Sequence, residues 1–250
     1  PPHEQPIIPM NNQRLEFSDI RHALREGWII ARRTRLVSLA YAAIFTLTGG
    51  IILAGLLLQG FTPFILAAAG AFMLIGPFIL AGFFGIARAD EKGKTAHPGS
   101  IITGFTEASS AVWVIALVCA LLFMIFLTDA AILYSYMVGR TPVWPGALET
   151  AREGISHFLL WGTISGLAIA FMLYCISAFS IPLLCEHRCP LVPAVVASVR
   201  VVFSSFLPAL SWALLLAGLT MGSILLLPLL PLTLPWLAHS SFALYRRIFP

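Results

Sequence analysis

The feature that most constrains this chain is a series of six apolar segments, each close to the length of a bilayer crossing and separated by short polar breaks. A helix rises about 1.5 Å per residue, so about 20 apolar residues cross a hydrocarbon core about 30 Å thick. Only 10% of the 250 residues are charged, whereas soluble domains carry roughly 25%. The pattern therefore predicts an all-α, polytopic membrane bundle of about six transmembrane helices. The predicted spans lie near 36–58, 62–87, 111–138, 158–184, 206–227 and 229–245.

The basic residues lie almost entirely on one side of this alternation. With the N-terminal segment inside, thirteen of the fifteen lysines and arginines fall on the inner side, and only Arg140 and Arg152 fall on the outer side. The positive-inside rule then predicts a bacterial inner-membrane protein with both termini cytoplasmic. An odd number of spans would break the alternation. The formal net charge is +4, and the basic residues lie beside apolar segments. We therefore expect the protein to bind anionic lipids on the cytoplasmic side and not nucleic acid.

Residues 1–35 differ from the membrane domain predicted for residues 36–250. They are polar and lack the apolar core of a cleavable signal peptide, so we expect the first span to insert uncleaved. From Phe17 to Arg33 the apolar residues recur at helical spacing, which predicts an amphipathic helix with Ser18 as N-cap, lying in the headgroup plane. Its apolar positions are Phe17, Ile20, Leu24, Trp28 and Ala31. Its expected interfacial anchors are Trp28, Arg32, Arg33 and Arg35.

Similar amphipathic stretches precede all three predicted hairpins, at residues 19–33, 100–110 and 193–205. Their spacing of roughly 80 to 90 residues suggests a threefold pseudo-repeat of helical hairpins. The alternative is that any loop before a span resembles an amphipathic helix.

Four short motifs resemble those of a known family: Asp19-Ile20 through Gly27-Trp28, Ser180-Ile181-Pro182-Leu183, Ala197-Ser198-Val199-Arg200, and His239-Ser240-Ser241 with Tyr245-Arg246. On these residues the chain resembles the bacterial predicted integral membrane proteins of domain of unknown function 2189, from about Phe17 onward. The resemblance implies six spans and no established activity. Some members carry a label likening them to subunit I of cytochrome c oxidase.

The histidines do not support that label. A haem–copper catalytic subunit needs six histidines buried in its spans, whereas here only His157 and His239 of six adjoin a span, near opposite faces of the membrane. A bis-histidine haem is excluded for the same reason. We therefore predict no cofactor.

The most metal-like run is Cys185-Glu186-His187-Arg188-Cys189. Thiolates and an imidazole suit zinc or copper, but a structural zinc site needs four ligands and no second ligand pair is present in the loops. We expect a polar cytoplasmic turn without a metal, and leave metal or redox chemistry at Cys185, His187 and Cys189 as the alternative. Cys119 and Cys175 lie within spans, so no secreted disulfide framework is predicted.

Asp129 is the only acid within a predicted span, and an intramembrane carboxylate is a functional hypothesis by default. Counted from the start of its span, it lies about 27 Å along the helix, close to the outer interface. We predict either a structural salt link, for which Arg140, Arg152 and His157 are feasible partners, or a hydrated acid at the interface. The alternative is a proton or substrate site.

Small residues and prolines mark two further features of the spans. Glycines spaced four residues from another small residue allow close helix packing in lipid, and Pro228, Pro231 and Pro235 are predicted to break or bend the sixth span. The candidate packing glycines are Gly50, Gly162, Gly166, Gly218 and Gly222.

Spans with so few ionisable groups offer no ion path, no nucleophile–base pair and no metal cage. We therefore predict a non-enzymatic accessory or scaffold subunit that packs against other membrane subunits of a larger inner-membrane complex, in respiratory or photosynthetic electron transfer. The alternative is a small permease or channel that uses Asp129 and the sixth span.

Overall fold

The computed structural model describes residues 14–106, 110–139 and 152–250, in which all regular structure is helical. The all-α bundle predicted from the sequence is confirmed. Its elements are α1 (Phe17–Arg33), α2 (Arg35–Leu58), α3 (Phe64–Glu91), α4 (Pro98–Thr106), α5 (Ser110–Met137), α6 (Arg152–Ser177), α7 (Ser180–Cys185), α8 (Leu191–Ser204), α9 (Phe206–Leu225), a 3₁₀ turn (Leu227–Leu229) and α10 (Leu230–Ile248).

The long segments run between two ends of the bundle, of which the first is rich in arginine. At this basic end the last turn of α3 meets the last turns of α1 and α10. Arg33 lies 3.7 Å from Asp90, and Arg246 lies 2.6 Å from Glu91. The α7–α8 turn joins them, because Arg88 donates a hydrogen bond to the Cys185 carbonyl at 3.1 Å. Segments predicted to share the cytoplasmic side therefore lie together in the fold.

The opposite end holds the α2–α3 turn, the end of α5 and the start of α6. Here the ring of Tyr134 lies 5.6 Å from Phe61 and 5.4 Å from Phe158, measured between ring centroids. Successive long segments thus alternate in direction: α2 leaves the basic end, α3 returns, and the pairs α5 with α6–α7 and α9 with α10 repeat this path.

Five segments of the described chain are long and apolar enough to cross a membrane. They are Arg35–Leu58, Ser110–Met137, Glu153–Cys185, Phe206–Leu225 and Leu227–Ile248. The remaining predicted span is the 28-residue helix α3, which runs antiparallel to α2 between the same two ends. This arrangement supports the six-span prediction.

The N-cap of the first helix lies two residues before the predicted one. Glu16 is the N-cap, and its N–H donates to the carboxylate of Asp19 at 3.0 Å, so the prediction of Ser18 as N-cap was wrong. The face that α1 buries, against α10, is made of Ile20, Ala23 and Gly27. The division into residues 1–35 and 36–250 stays a prediction.

The fourth span starts earlier than residue 158 and is not one continuous helix. It begins at Arg152 as α6 and breaks between Ser177 and Ser180, before the short α7. In the sixth span, Pro228 lies in the 3₁₀ turn, while Pro231 occupies the first turn of α10 and Pro235 lies within it. The prolines thus shape the entry to α10, and the helix continues past Pro235. The element order also contains, three times, a short helix followed by a helical hairpin, as predicted.

Candidate functional site

The largest cluster of charged side chains in the described chain surrounds Glu186 at the basic end. Its carboxylate accepts hydrogen bonds from the Tyr245 hydroxyl at 2.7 Å and from Arg246 at 3.0 Å, and it lies 3.1 Å from Arg188 Nε. Only 11% of the Glu186 side chain is exposed. A carboxylate that already holds a phenol and two guanidinium groups is a poor general base, so the cluster acts as a structural lock.

Aromatic rings and main-chain carbonyls complete this lock. The guanidinium of Arg246 lies 5.1 Å from the centroid of the Phe242 ring, and that of Arg188 lies 5.7 Å from the Tyr245 ring. Arg188 also donates to the Phe249 carbonyl at 2.8 Å. These contacts fix the α7–α8 turn onto the end of α10.

The predicted metal-like run is the turn that carries Glu186. His187 has a φ of 53°, and its N–H donates to Leu184 O at 3.2 Å while Arg188 N–H donates to Leu183 O at 3.1 Å. These two hydrogen bonds form a Schellman motif, in which His187 takes the left-handed conformation that glycine usually adopts at this position. The run therefore terminates α7.

The two thiols of this run differ in exposure. Cys185 is buried and Cys189 is half-buried, and burial raises the pKa of the Cys189 thiol, which disfavours the thiolate form that binds metals. Within the described residues, no three His, Cys, Asp or Glu side chains come together so that they could hold a metal ion. The prediction of no metal at Cys185, His187 and Cys189 stays a prediction.

Ser198 explains the break between α6 and α7. Its hydroxyl donates to the Cys175 carbonyl at 2.8 Å and accepts from the Phe179 N–H at 3.2 Å. In an unbroken helix that N–H would donate directly to that carbonyl. The hydroxyl of Ser198 is inserted between the two groups and replaces this helical hydrogen bond. Pro182 favours the break, since its ring would clash with the carbonyl of Ala178 in a continuous helix.

We expect Ser198→Ala to lower the free energy of unfolding by about 1–3 kcal/mol, because a buried N–H and a buried carbonyl both lose their partner. Thermal unfolding in detergent, followed by circular dichroism, measures the loss. Ser204→Ala is the matched control, since the exposed Ser204 hydroxyl bonds only to Val201 O of its own helix. An equal shift in the two variants would contradict the bridging role.

His239 lies inside the bundle and is fully buried. Its Nε2 atom lies 3.0 Å from Ser38 Oγ. Thr34 donates its hydroxyl proton to Ile30 O, so Ser38 must donate in the 2.9 Å contact with Thr34. His239 Nε2–H then donates to Ser38, which assigns the tautomer. These bonds tie the start of α2 to α10. His157 lies exposed near the opposite end, as the sequence argument against a bis-histidine haem expected.

Asp129 lies near the opposite end, on the same helix as Tyr134. Its Oδ2 atom is buried and has no hydrogen-bond partner among the residues that the structure describes. Of its predicted partners, Arg140 and the side chain of Arg152 lie outside the described part of the chain, and His157 is exposed. The predicted salt link therefore stays a prediction.

The predicted packing glycines behave differently from one another. A Cβ added at Gly166 would lie 2.9 Å from Phe126, so α5 and α6 approach closely there, and one at Gly50 would lie 3.4 Å from Leu227. Among the described residues, the only neighbour of a Cβ added at Gly162 is Phe158 of the same helix, 4.0 Å away, and no atom lies within 4 Å of a Cβ added at Gly218 or Gly222. The last two glycines face away from the bundle.

Sequence analysis missed the glycines at which two backbones come closest. A Cβ at Gly85 would lie 2.7 Å from Gly104 Cα, and one at Gly27 would lie 2.6 Å from Ser240 Cα. A signal for these contacts was present in the sequence, since Ala23 and Gly27, Ala81 and Gly85, and Ser100 and Gly104 are pairs of small residues four positions apart on one helix. The spacing alone does not say which helix packs against each pair.

The expected interfacial anchors lie at the surface of the basic end. Trp28 is 49% exposed, and its ring meets Trp236 edge-on with 6.0 Å between centroids. Arg32, Arg33 and Arg35 are all exposed, and of these Arg33 pairs with Asp90. This exposure is compatible with contact to headgroups, which stays a prediction.

The motifs that carry the family resemblance meet at this end of the bundle. Gly27 packs on Ser240, Ser198 bridges the break before Ser180, and Tyr245 and Arg246 hold Glu186. No curated protein and no solved structure matches the chain. A family model described as "Predicted integral membrane protein (DUF2189)" does match residues 64–186. Over this range the resemblance is confirmed, and residues 64–186 are those of a predicted integral membrane protein of the DUF2189 family.

Proposed function

We propose that this chain is a non-enzymatic integral membrane subunit that packs against a larger complex of the bacterial inner membrane, in respiratory or photosynthetic electron transfer. Its termini lie in the cytoplasm. The observation that carries this proposal is the open face of α9, where Gly218 and Gly222 stand one turn apart with no atom within 4 Å of an added Cβ. In lipid, small residues at this spacing permit another helix to approach closely.

The contrast with Gly166 supports an external partner for this face. At Gly166 the side chain of Phe126 fills the space above the glycine, whereas Gly218 and Gly222 carry the helix-propensity cost of glycine without any packing gain within the chain. A helix of another subunit would supply that gain.

The use of polar groups inside the bundle is consistent with a structural role. Glu186 is held by Tyr245 and Arg246, and His239 is held by Ser38. Both clusters join elements of this chain to one another. A scaffold needs such rigid joints, whereas an enzyme needs polar groups that remain available to a substrate.

The exposed cations at the basic end support the proposed orientation. Arg32, Arg35, Lys92 and Lys94 are exposed and lie at the end that the positive-inside rule assigns to the cytoplasm. Each cation near an anionic membrane surface favours binding, so this end would attract anionic lipids.

Purification in mild detergent tests the proposal. We expect the native chain to migrate with a larger complex in fixed stoichiometry, and a Gly218→Leu/Gly222→Leu variant to be released as a single particle. Its unfolding temperature should stay unchanged, because no atom of the described residues lies within 4 Å of a Cβ added at either glycine. Ala120→Leu is the control, on the exposed face of α5. A native chain that migrates alone would contradict the proposal.

The buried Oδ2 atom of Asp129 favours a second candidate function, a small permease or channel. In that case vesicles containing the purified chain alone should carry a solute flux that Asp129→Asn abolishes. Wild-type vesicles as tight as protein-free ones would remove this alternative.

A further inference from the structure

A cavity of about 510 Å³ lies inside the membrane domain between α3, α6, α9 and α10. Its volume falls in the range of small-molecule sites, roughly 300–1,000 Å³. Its inner wall includes Phe83 and Trp212, which are 0% and 3% exposed. The cavity therefore reaches the centre of the bundle.

The chemistry of the wall selects a hydrocarbon occupant. Three of its four hydroxyl groups donate to main-chain carbonyls: Tyr174 to Ala209 O at 2.9 Å, Ser177 to Leu173 O at 2.7 Å and Ser241 to Leu237 O at 3.0 Å. Thr220 supplies the fourth hydroxyl. None of the described residues that line the cavity has a charged side chain. A polar ligand would lose its hydrogen bonds to water here and find only a few neutral hydroxyl groups in return, whereas an alkyl chain has no hydrogen bonds to lose.

The cavity opens sideways between α6 and α9. Two of its lining residues, Leu167 and Leu214, are 58% and 59% exposed and lie on these helices. Leu214 lies eight residues beyond the first residue of α9, about 12 Å below the basic end. This depth is less than half of a hydrocarbon core about 30 Å thick. The mouth therefore faces the acyl chains of one leaflet.

A cation lies above this mouth. Phe171 lines the cavity and meets Phe203 of α8 with 6.5 Å between ring centroids. Arg200 precedes Phe203 by three residues and therefore shares its face of α8. Arg200 is exposed, and none of the ion pairs found among the described residues involves it.

We propose that the cavity holds one acyl chain of an anionic phospholipid whose phosphate lies against Arg200. The acyl chain passes Phe203 and Phe171 and enters the cavity between Leu167 and Leu214. The occupant fills the space between α3 and α9, so it is an integral part of the bundle. This site is independent of the open glycine face of α9 and of any partner subunit.

Quenching of tryptophan fluorescence by lipids with brominated acyl chains tests the occupancy. Trp212 is buried, so lipids that only surround the protein cannot reach it. We expect brominated phosphatidylglycerol to quench the fluorescence component that Trp212→Phe removes. In Ala213→Phe, which places a ring in the cavity, this component should no longer be quenched. Ala120→Phe on the exposed face of α5 is the control. An unquenched Trp212 in the native chain would overturn the proposal.

Headgroup selection is tested on the same protein, purified from vesicles that contain equal amounts of phosphatidylglycerol and phosphatidylcholine. The measured quantity is the amount of each lipid that the purified protein retains. We expect about one retained phosphatidylglycerol per chain, and Arg200→Gln to lower its preference over phosphatidylcholine about fivefold, as the loss of one cation near a charged surface predicts. Arg35→Gln, which removes another exposed arginine of the basic end, should leave the preference unchanged. Equal retention of both lipids by the native chain would overturn the anionic assignment.

Discussion

Replacing Glu186 by glutamine is expected to lower the free energy of unfolding by about 3 kcal/mol, which is the lower end of the cost of breaking a buried ion pair. The lower end applies because Arg246 and Arg188 are 28% and 32% exposed, while Glu186 itself is 11% exposed. The amide keeps the size of the side chain and can still accept the hydrogen bond of Tyr245. It removes the charge that holds two guanidinium groups together.

The arginines then repel each other across a shared site. Arg246 keeps Glu91 at 2.6 Å. Among the described residues Arg188 keeps no carboxylate partner, but only main-chain carbonyls such as Phe249 O and the ring of Tyr245. We therefore expect the α7–α8 turn to separate from the end of α10 before the bundle unfolds.

Thermal unfolding in detergent and hydrogen exchange of residues 183–190 measure the two effects. Glu153→Gln is the matched control, since Glu153 is exposed in the first turn of α6. Because salt screens exposed pairs most strongly, the difference between the two variants should persist at high ionic strength. A Glu186→Gln variant that unfolds like Glu153→Gln would show that the cluster does not hold the turn.

The long helices could be predicted from the sequence because the physical cause is local. A segment of about 20 apolar residues must bury its backbone polar groups in hydrocarbon, and a helix is the way to do so. Hence α2 begins and ends within one residue of the predicted span 36–58, and α9 begins at residue 206 as predicted. The break in the fourth span was missed although Pro182 lies in that span and favours it. What bridges the break is the hydroxyl of Ser198, which comes from another helix and gives no signal in the sequence of the span.

The first helix shows where hydropathy ceases to be informative. Its apolar residues predict one face, but the fold buries Ile20, Ala23 and Gly27, and leaves Phe17 and Trp28 57% and 49% exposed. Apolar periodicity cannot distinguish a helix face that meets lipid from one that meets protein. The small residues determine which face of α1 meets protein, since Ala23 and Gly27 let the backbone of α10 come close.

The candidate site could be predicted only in part, for a related reason. The run from Cys185 to Cys189 was noticed for its thiols, but the residue that matters most in it is Glu186, whose partners Tyr245 and Arg246 lie some sixty residues further along the chain. The bond between Ser38 and His239 spans an even longer separation. A single sequence carries no signal for such pairs, because each member alone is an ordinary polar residue at the end of a span.

Gly27→Leu is expected to release α1 from α10 and to lower the free energy of unfolding by about 3 kcal/mol, the upper part of the usual cost of overpacking. Even the Cβ atom would lie 2.6 Å from Ser240 Cα and closer still to the main-chain nitrogen of Ser240. Main-chain atoms within a helix cannot rotate away as a side chain does. The gain in helix propensity over glycine is about 1 kcal/mol, so the clash outweighs it.

Limited proteolysis under native conditions measures the release directly. Once α1 moves away, Trp236 loses its 2.9 Å hydrogen bond to Leu24 O and Arg247 loses Asp19, so trypsin should cleave at Arg21 and Arg25 much faster than in the native chain. Gly49→Leu, at an α2 position with nothing within 4 Å, should leave cleavage unchanged. Gly27→Ala should give an intermediate effect, because the clash already begins at Cβ. If α1 resisted trypsin equally in all three variants, the close packing of Gly27 on Ser240 would not be what holds this helix to the bundle.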